Sequence, residues 1–513
     1  MNDVEVAPVS TDEPEPVPRA HSRAVDGVLI AIVALAAVVR FWGIDSHNIW
    51  YDEWLTTEAT KSTLTHLFRH VNNREGIPPT YFLLMWGWVR VFGRSEAAFR
   101  SLGALAGIAT VPVAYAAVRA FGQRRAVARI AALLVAVNPM LVWYSHDARP
   151  YALLALLGGV TLWMLARVRA SAGGTHLAWW AAACAVTIAV HYYGVFLVAA
   201  EAGALLLVLP AQRPRVVKAC IAPAATLLAL TPWALHQWSH TKNSQWITDW
   251  SLTFRLREAG RSALVGPNPF NSRLWIATLL IVVVAAVALA ITRDRETRAV
   301  GALCGGAGVA AVVLPLLLTA VGFDIFLARY LIAALVPLVV AVAVGIMAIR
   351  VPIVSAIVIV GAAAIGLSAV VAVELDPALQ KPYWGQVASI LPRNEPAVLF
   401  MNNHGSLGLP LNYYIKNART LGNDEPIAVN EIDVLTPKPF NRPCDMLVGS
   451  TCGLVFLGAP LAPAMAAQFP DVDRVHLDQF FVDRYRAPAP VTIRARDLVA
   501  PEQFGDALLV KRG

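Results

Sequence analysis

Two adjacent carboxylates, Asp52 and Glu53, stand in the stretch "IWYDEWLTTEAT" (49–60) among Trp50, Tyr51 and Trp54, directly after the first long apolar run. Burial of a carboxyl against aromatic rings penalises its charged form and raises its pKa toward that of a useful general base. Three further stretches bring comparable groups to the ends of apolar runs. "YSHDARPY" (144–151) carries His146, Asp147 and Arg149, "HYYG" (191–194) carries His191, and "FDIFLARYL" (323–331) carries Asp324, Arg329 and Tyr330. Arginines at one membrane depth can hold a lipid-linked phosphate and stabilise it as it leaves. A folded loop over them can exclude water from a reactive glycosyl donor. Such parts fit sugar transfer from a lipid phosphate. Each part also has a plainer reading. Asp52 and Glu53 suit the start of a helix, Asp147 and Arg149 could form a local ion pair, Arg329 could snorkel to the interface, and His191 with its tyrosines could belong to an interfacial aromatic belt.

The elements that must position these groups are mostly membrane spans. Of the 513 residues, 57% are hydrophobic and 15% charged, and the mean hydropathy is +0.57. That composition indicates a polytopic membrane protein. The net charge of +8 is then the excess expected in cytoplasmic loops, and nucleic acid is not implied as a partner. Orienting each apolar run by its basic ends gives about eleven transmembrane helices with consistent alternation, at 27–43, 97–120, 130–144, 152–165, 177–190, 195–209, 217–235, 274–291, 299–321, 328–349 and 353–373. "RAFGQRRAVAR" (119–129) marks one cytoplasmic turn. All the acids and histidines named above, together with His47, Arg74 and Glu75, then fall on the outer face. The apolar stretch 77–93 would break the alternation as a full span and is expected to be re-entrant or interfacial; the alternative is that it spans and a later segment does not.

Residues 1–26 are acidic and proline-rich and read as a disordered cytoplasmic tail, with a cleaved signal peptide as the competing reading. Residues 27–373 form the transmembrane domain, with a first outer loop at 44–96. Residues 374–513 change to β-like runs such as "AVLFMNN", "GLVFLGAP" and "ALLVKRG", and read as a C-terminal extracytoplasmic α/β domain. Cys184, Cys220 and Cys304 lie in apolar spans as small buried hydrophobes; Cys444 and Cys452 in the tail could pair in an oxidising compartment.

The ordered set "WYDEWLTTEAT", "PPTYFLLMWGWVRVFGRSEAAFRSLGALAG", "NPMLVWYSHDARPYALLALL" and "HYYGVF" resembles the bacterial glycosyltransferases of the protein O-mannosyltransferase and aminoarabinose transferase type, which share the GT-C fold. The resemblance is close over about residues 27–210 and returns at "ARYLIAALVPL" (328–338). It implies Asp52 as catalytic base with Glu53 in the second position of the acid pair, and Asp147 as a further acid near the site. It implies that Arg149 and Arg329, with Tyr330, bind the donor phosphate. Relatives commonly carry a histidine before the paired prolines; here that residue is Ile77. Glu75, His146 and His191 are the residues that could serve an acceptor or a metal in its place. No cofactor is certain; a divalent metal is possible but is not supported by the sequence, and its identity is unknown.

The expected function is transfer of a sugar, with inversion, from a polyprenyl-phosphate donor to an extracytoplasmic glycan, glycolipid or protein hydroxyl. The expected location is the cytoplasmic (inner) membrane, multi-pass, with the lipid bilayer as a partner. A transporter or flippase for a lipid-linked sugar is the alternative from a different class.

Overall fold

The computed structural model describes residues 26–171, 173–241, 245–248, 250–267, 273–391, 397–401, 410–415, 418–438, 461–498 and 506–510. The tail at 1–25, Cys444, Cys452 and the run 453–460 lie outside them.

A helical bundle is built from the eleven apolar segments. Among the described residues, seven helices are long and apolar enough to cross a membrane, Arg125–Val137 and Pro139–His146 form one bent pair, and Gly27–Phe41, Gly174–Val190 and Gly194–Val208 are shorter apolar helices. The bend of 54° follows from "NP" at 138–139. Asn138 stands before a proline, so it leaves the helical region, and its side chain accepts from the Leu141 N–H at 3.0 Å to start the next turn. The helix end leaves carbonyls without partners inside the membrane. Arg40, fully buried on the first span, donates to two of them, Ala136 O at 2.8 Å and Val135 O at 3.2 Å. The chain after the bend is thus held against the first span, which delivers 144–149 to the end of the bundle where 44–60 emerges.

Small residues allow this approach. A Cβ at Gly107 would lie 2.2 Å from Ser145 Oγ and 2.6 Å from Arg40 Nε, and one at Gly103 would lie 3.0 Å from the Ser145 carbonyl. Because Arg40 is held by several hydrogen bonds, it cannot yield cheaply. Gly107→Ala is expected to destabilise the protein by about 1–3 kcal/mol, read as a lower melting temperature in detergent. Gly87→Ala, with no atom within 4 Å of the added carbon, serves as the control that leaves it unchanged.

The stretch 77–93 forms the helix Thr80–Phe92, 13 residues long. At 1.5 Å per residue it reaches about 20 Å, short of the ~30 Å apolar slab. It packs through Tyr81, Phe82, Met85 and Val89 onto Leu67 and Val71 of the preceding helix and Phe99 of the next, at the same end of the bundle as Asp52. The cysteines expected in spans behave as such: Cys184 and Cys304 are buried and Cys220 is half-buried.

After the last span, the chain forms a six-stranded sheet. Its strands are β1 (Ala397–Met401), β2 (Ala418–Thr420), β3 (Ile427–Pro437), β4 (Asp471–His476), β5 (Phe480–Ile493) and β6 (Asp506–Val510), in the order β2-β6-β1-β3-β5-β4. Only β1 and β3 are parallel. Alternation along β1 sends Val398 and Phe400 to one apolar layer and Leu399 to the other, beneath Trp384. The runs "AVLFM" and "ALLV" are thus strands as expected. The sheet domain sits on the bundle's polar end. The Tyr414 hydroxyl accepts from the Ile49 N–H at 2.7 Å and donates to Glu96 at 2.6 Å, and the Gly385 N–H donates to Asn48 at 2.6 Å.

Candidate active site

"WYDE" begins the helix Tyr51–Ala59, with Trp50 as its N-cap. Glu53 closes back on the cap, accepting from the Trp50 N–H at 3.4 Å, so the helix-start reading of the acid pair is correct locally. Glu53 does much more. Fully buried, it takes a two-pronged ion pair from Arg100 at 2.7 Å on each oxygen, a third bond from the Ala148 N–H at 3.0 Å, and lies 3.4 Å from Lys381 Nζ. Burial alone would push its pKa up; the Arg100 and Lys381 charges and these hydrogen bonds hold it at about 2. The rest of the Arg100 guanidinium donates to the carbonyls of Ile44, His47 and Asn48. One ion pair therefore staples the 44–50 loop, the acid helix and the "SHDAR" turn together.

Asp147 is also fully buried. It accepts from Trp50 Nε1 at 3.0 Å and lies 3.4 Å from Lys381 Nζ, while its Oδ2 has no hydrogen-bond partner among the described residues. Burial raises its pKa; Lys381 opposes that and the neighbouring Glu53 charge adds to it. Lys381 lies just after the last span and donates to the His146 carbonyl at 3.0 Å. The local Asp147–Arg149 pair does not form. Arg149 instead reaches Glu75, with two bonds of 2.8 Å, and donates to the Asp52 carbonyl at 3.1 Å. Although burial opposes it, the Glu75 carboxylate holds the Arg149 pKa well above its ordinary value.

Asp52 is the carboxylate left open. Its side chain is 13% exposed and meets Arg329 Nη1 at 3.3 Å, whereas the side chains of Glu53 and Asp147 are 0% exposed and that of Glu75 is 3% exposed. Arg329 lies over the rings of Trp50, Tyr151 and Tyr330, with guanidinium-to-centroid distances of 5.9, 6.0 and 5.7 Å. Such faces stabilise a cation without neutralising it. His191 packs against Tyr151, Tyr193 and Tyr330, and its Nδ1 accepts from the Tyr193 N–H at 3.2 Å. Burial, then Arg149 and Arg329, lower its pKa to about 3, so the ring is neutral. His146 turns elsewhere, toward Arg40 and Glu374.

Hence Asp52, Arg329 and Tyr330 gather at one accessible spot, with His191 behind it. Glu53, Asp147, Arg149 and Glu75 form the paired layer beneath. Two members of that layer, Arg100 and Lys381, were not singled out in the sequence. Arg100 had a signal, because a lone arginine early in an apolar helix requires a buried partner. Lys381 had none, since nothing local distinguishes it from a linker lysine. A cavity of about 480 Å³ is lined almost wholly by apolar side chains of the bundle, among them Leu134, Ile281 and Leu338, and none of these charged residues borders it.

The family model described as dolichyl-phosphate-mannose-protein mannosyltransferase matches residues 77–238. Among solved structures, ArnT from Cupriavidus metallidurans bound to undecaprenyl phosphate is similar with a TM-score of 0.54 and 14% identity, covering 90% of this chain and 98% of that one. The apo state of the same protein gives 0.53 and 13%, covering 89% and 98%. No curated protein matches the chain in sequence.

Proposed function

We propose that this chain, whose residues 77–238 match the mannosyltransferase family model and whose fold is similar to that of ArnT, transfers one sugar from a polyprenyl-phosphate donor to a hydroxyl of an extracytoplasmic glycan, glycolipid or protein. Asp52 takes the proton of the acceptor hydroxyl as its oxygen attacks the anomeric carbon. The bond to the lipid phosphate breaks on the opposite face, so the configuration inverts. Arg329, beside Asp52 and cushioned by aromatic faces, balances the charge of the departing phosphate. Tyr330 lies next to it. Arg149, already neutralised by Glu75, holds the acid helix through the Asp52 carbonyl. Glu53 and Asp147 act as positioning residues through Arg100 and Lys381.

The observation that carries this reading is the selective exposure of Asp52 among four clustered acids. The sidedness follows the basic turn at 119–129, which precedes the helix leading to the site; positive residues stay cytoplasmic, so the site faces outward in the inner membrane.

The test is incubation of the purified chain with polyprenyl-phosphate donors radiolabelled in the sugar. An enzyme releases or transfers label and leaves lipid phosphate, while a flippase moves the donor across vesicles with its sugar bond intact. Arg329→Gln is expected to lower kcat/KM for the donor roughly 100-fold, measured in the same assay, with the folded yield unchanged.

A further inference from the structure

His47, His146 and Glu374 converge behind the paired acids, and the proposed transfer uses none of them. His47 lies in the loop after the first span, His146 ends the bent pair, and Glu374 is next to last in the helix Pro352–Leu375. His47 and His146 are buried, at 2% and 4% exposed, and Glu374 is half-buried with its side chain 4% exposed. Glu374 Oε2 stands 3.4 Å from His47 Nε2, and Oε1 stands 3.3 Å from His146 Nδ1. The three donor atoms lie within 4.8 Å of one another.

We propose that His47, His146 and Glu374 form a zinc-class divalent cation site at the end of the bundle, apart from the Asp52 centre. The spacing suits it, because ligands about 2.0–2.1 Å from a tetrahedral ion stand roughly 3.3 Å from one another. The tautomer suits it as well. His146 Nε2 lies 2.9 Å from the Arg40 carbonyl, which only accepts, so Nε2 carries the hydrogen. In the neutral ring Nδ1 is then a bare lone pair aimed at a carboxylate oxygen. Two acceptors face each other across a gap that a cation fills, and a ring N–H bound to a backbone carbonyl is the usual outer support of a metal-bound histidine. His47 adds a second imidazole: its Nε2 is buried and faces the same gap, 3.4 Å from Glu374 Oε2.

The surroundings complete the site. Gly43 makes room for the carboxylate, since a Cβ there would lie 2.0 Å from Glu374 Oε2. A cavity of about 20 Å³, bordered by His146, Glu374, Trp143 and Gly266, is large enough for one water as a fourth ligand. Two imidazoles and one carboxylate favour zinc-class ions over magnesium or calcium, which take oxygen ligands. The ion ties together three chain segments that go on, within a few residues, to Glu53, Asp147 and Lys381.

The test needs no donor lipid, so its failure leaves the transfer reading untouched, and the reverse also holds. The full chain, purified in detergent and equilibrated with buffered Zn²⁺, is expected to retain about one ion per chain by mass spectrometry of the metal. X-ray absorption at the zinc edge should then show two imidazoles and oxygen donors. Glu374→Gln and His47→Ala should each retain less than about a tenth of that metal. Absence of stoichiometric zinc in the wild-type chain, or an absorption spectrum without two imidazoles, would leave a proton shared by His146 and Glu374 as the occupant and overturn the proposal. Full metal retention by both variants would overturn it too. Should a variant fail to fold, the absorption measurement on the wild-type chain decides.

Discussion

Asp52→Asn is expected to lower sugar transfer by about 10²–10⁴-fold, the contribution of a positioned general base. Asparagine keeps the size and shape of aspartate but cannot accept a proton from the attacking hydroxyl. The fold should be unaffected, because the Asp52 carboxylate is partly exposed and its ion pair is the 3.3 Å contact with Arg329. Arg329 itself is buried, but the asparagine side-chain oxygen can still accept from its guanidinium. The measurement is label transfer from the polyprenyl-phosphate donor, with melting temperature and elution volume as folding controls. A folded Asp52→Asn protein with normal turnover would remove Asp52 as the base. Asp147→Asn offers a contrast, since Asp147 is fully buried and its effect should show in stability as well as in rate.

The second large effect falls on stability. Glu53→Gln is expected to destabilise the protein by about 3–5 kcal/mol, the usual consequence of removing one partner from a buried ion pair. Arg100 and Lys381 would then share a buried region with Glu96, 3.7 Å from Arg100, and Asp147, 3.4 Å from Lys381, as nearby acids. Glutamine preserves the shape, so the loss reports charge and not a cavity. It should appear as a drop in melting temperature and in the yield of monodisperse protein. Adding Lys381→Met to Glu53→Gln removes one stranded cation. That double variant should recover part of the loss, a coupling that two independent surface changes would not show. Equal stability of Glu53→Gln and wild type would mean that the 44–50 loop, the acid helix and the 144–149 turn are held together by something other than this pair.

The two predictions separate adjacent residues that look alike in the sequence. Asp52 and Glu53 share the same flanking tryptophans, and the family resemblance assigns both to one acidic motif. In the folded chain they differ by one helical step of about 100°. That rotation points Glu53 inward to Arg100 and leaves Asp52 at the opening beside Arg329. A similar sorting applies to Arg149 and Arg329. Both are arginines at span ends, yet Arg149 is held by two short bonds to buried Glu75, whereas Arg329 meets the more open Asp52 at 3.3 Å and lies over aromatic faces.

Hydropathy and charge along the chain were by themselves sufficient to mark eleven apolar segments and the change to strands after the last span. The reason is that membrane transfer and helix length depend on local composition, residue by residue. The break at 138–139 was equally local, because proline constrains its own neighbour. Tertiary structure alone decided which acid is open and which is stapled, that Lys381 enters the acid cluster, and that His47, His146 and Glu374 meet. Each of those outcomes depends on distances of a few ångströms between groups separated by tens to hundreds of residues. Coulomb and ligand interactions act through space, and only the packed bundle, with glycines such as Gly107 and Gly43 admitting close contact, sets those separations.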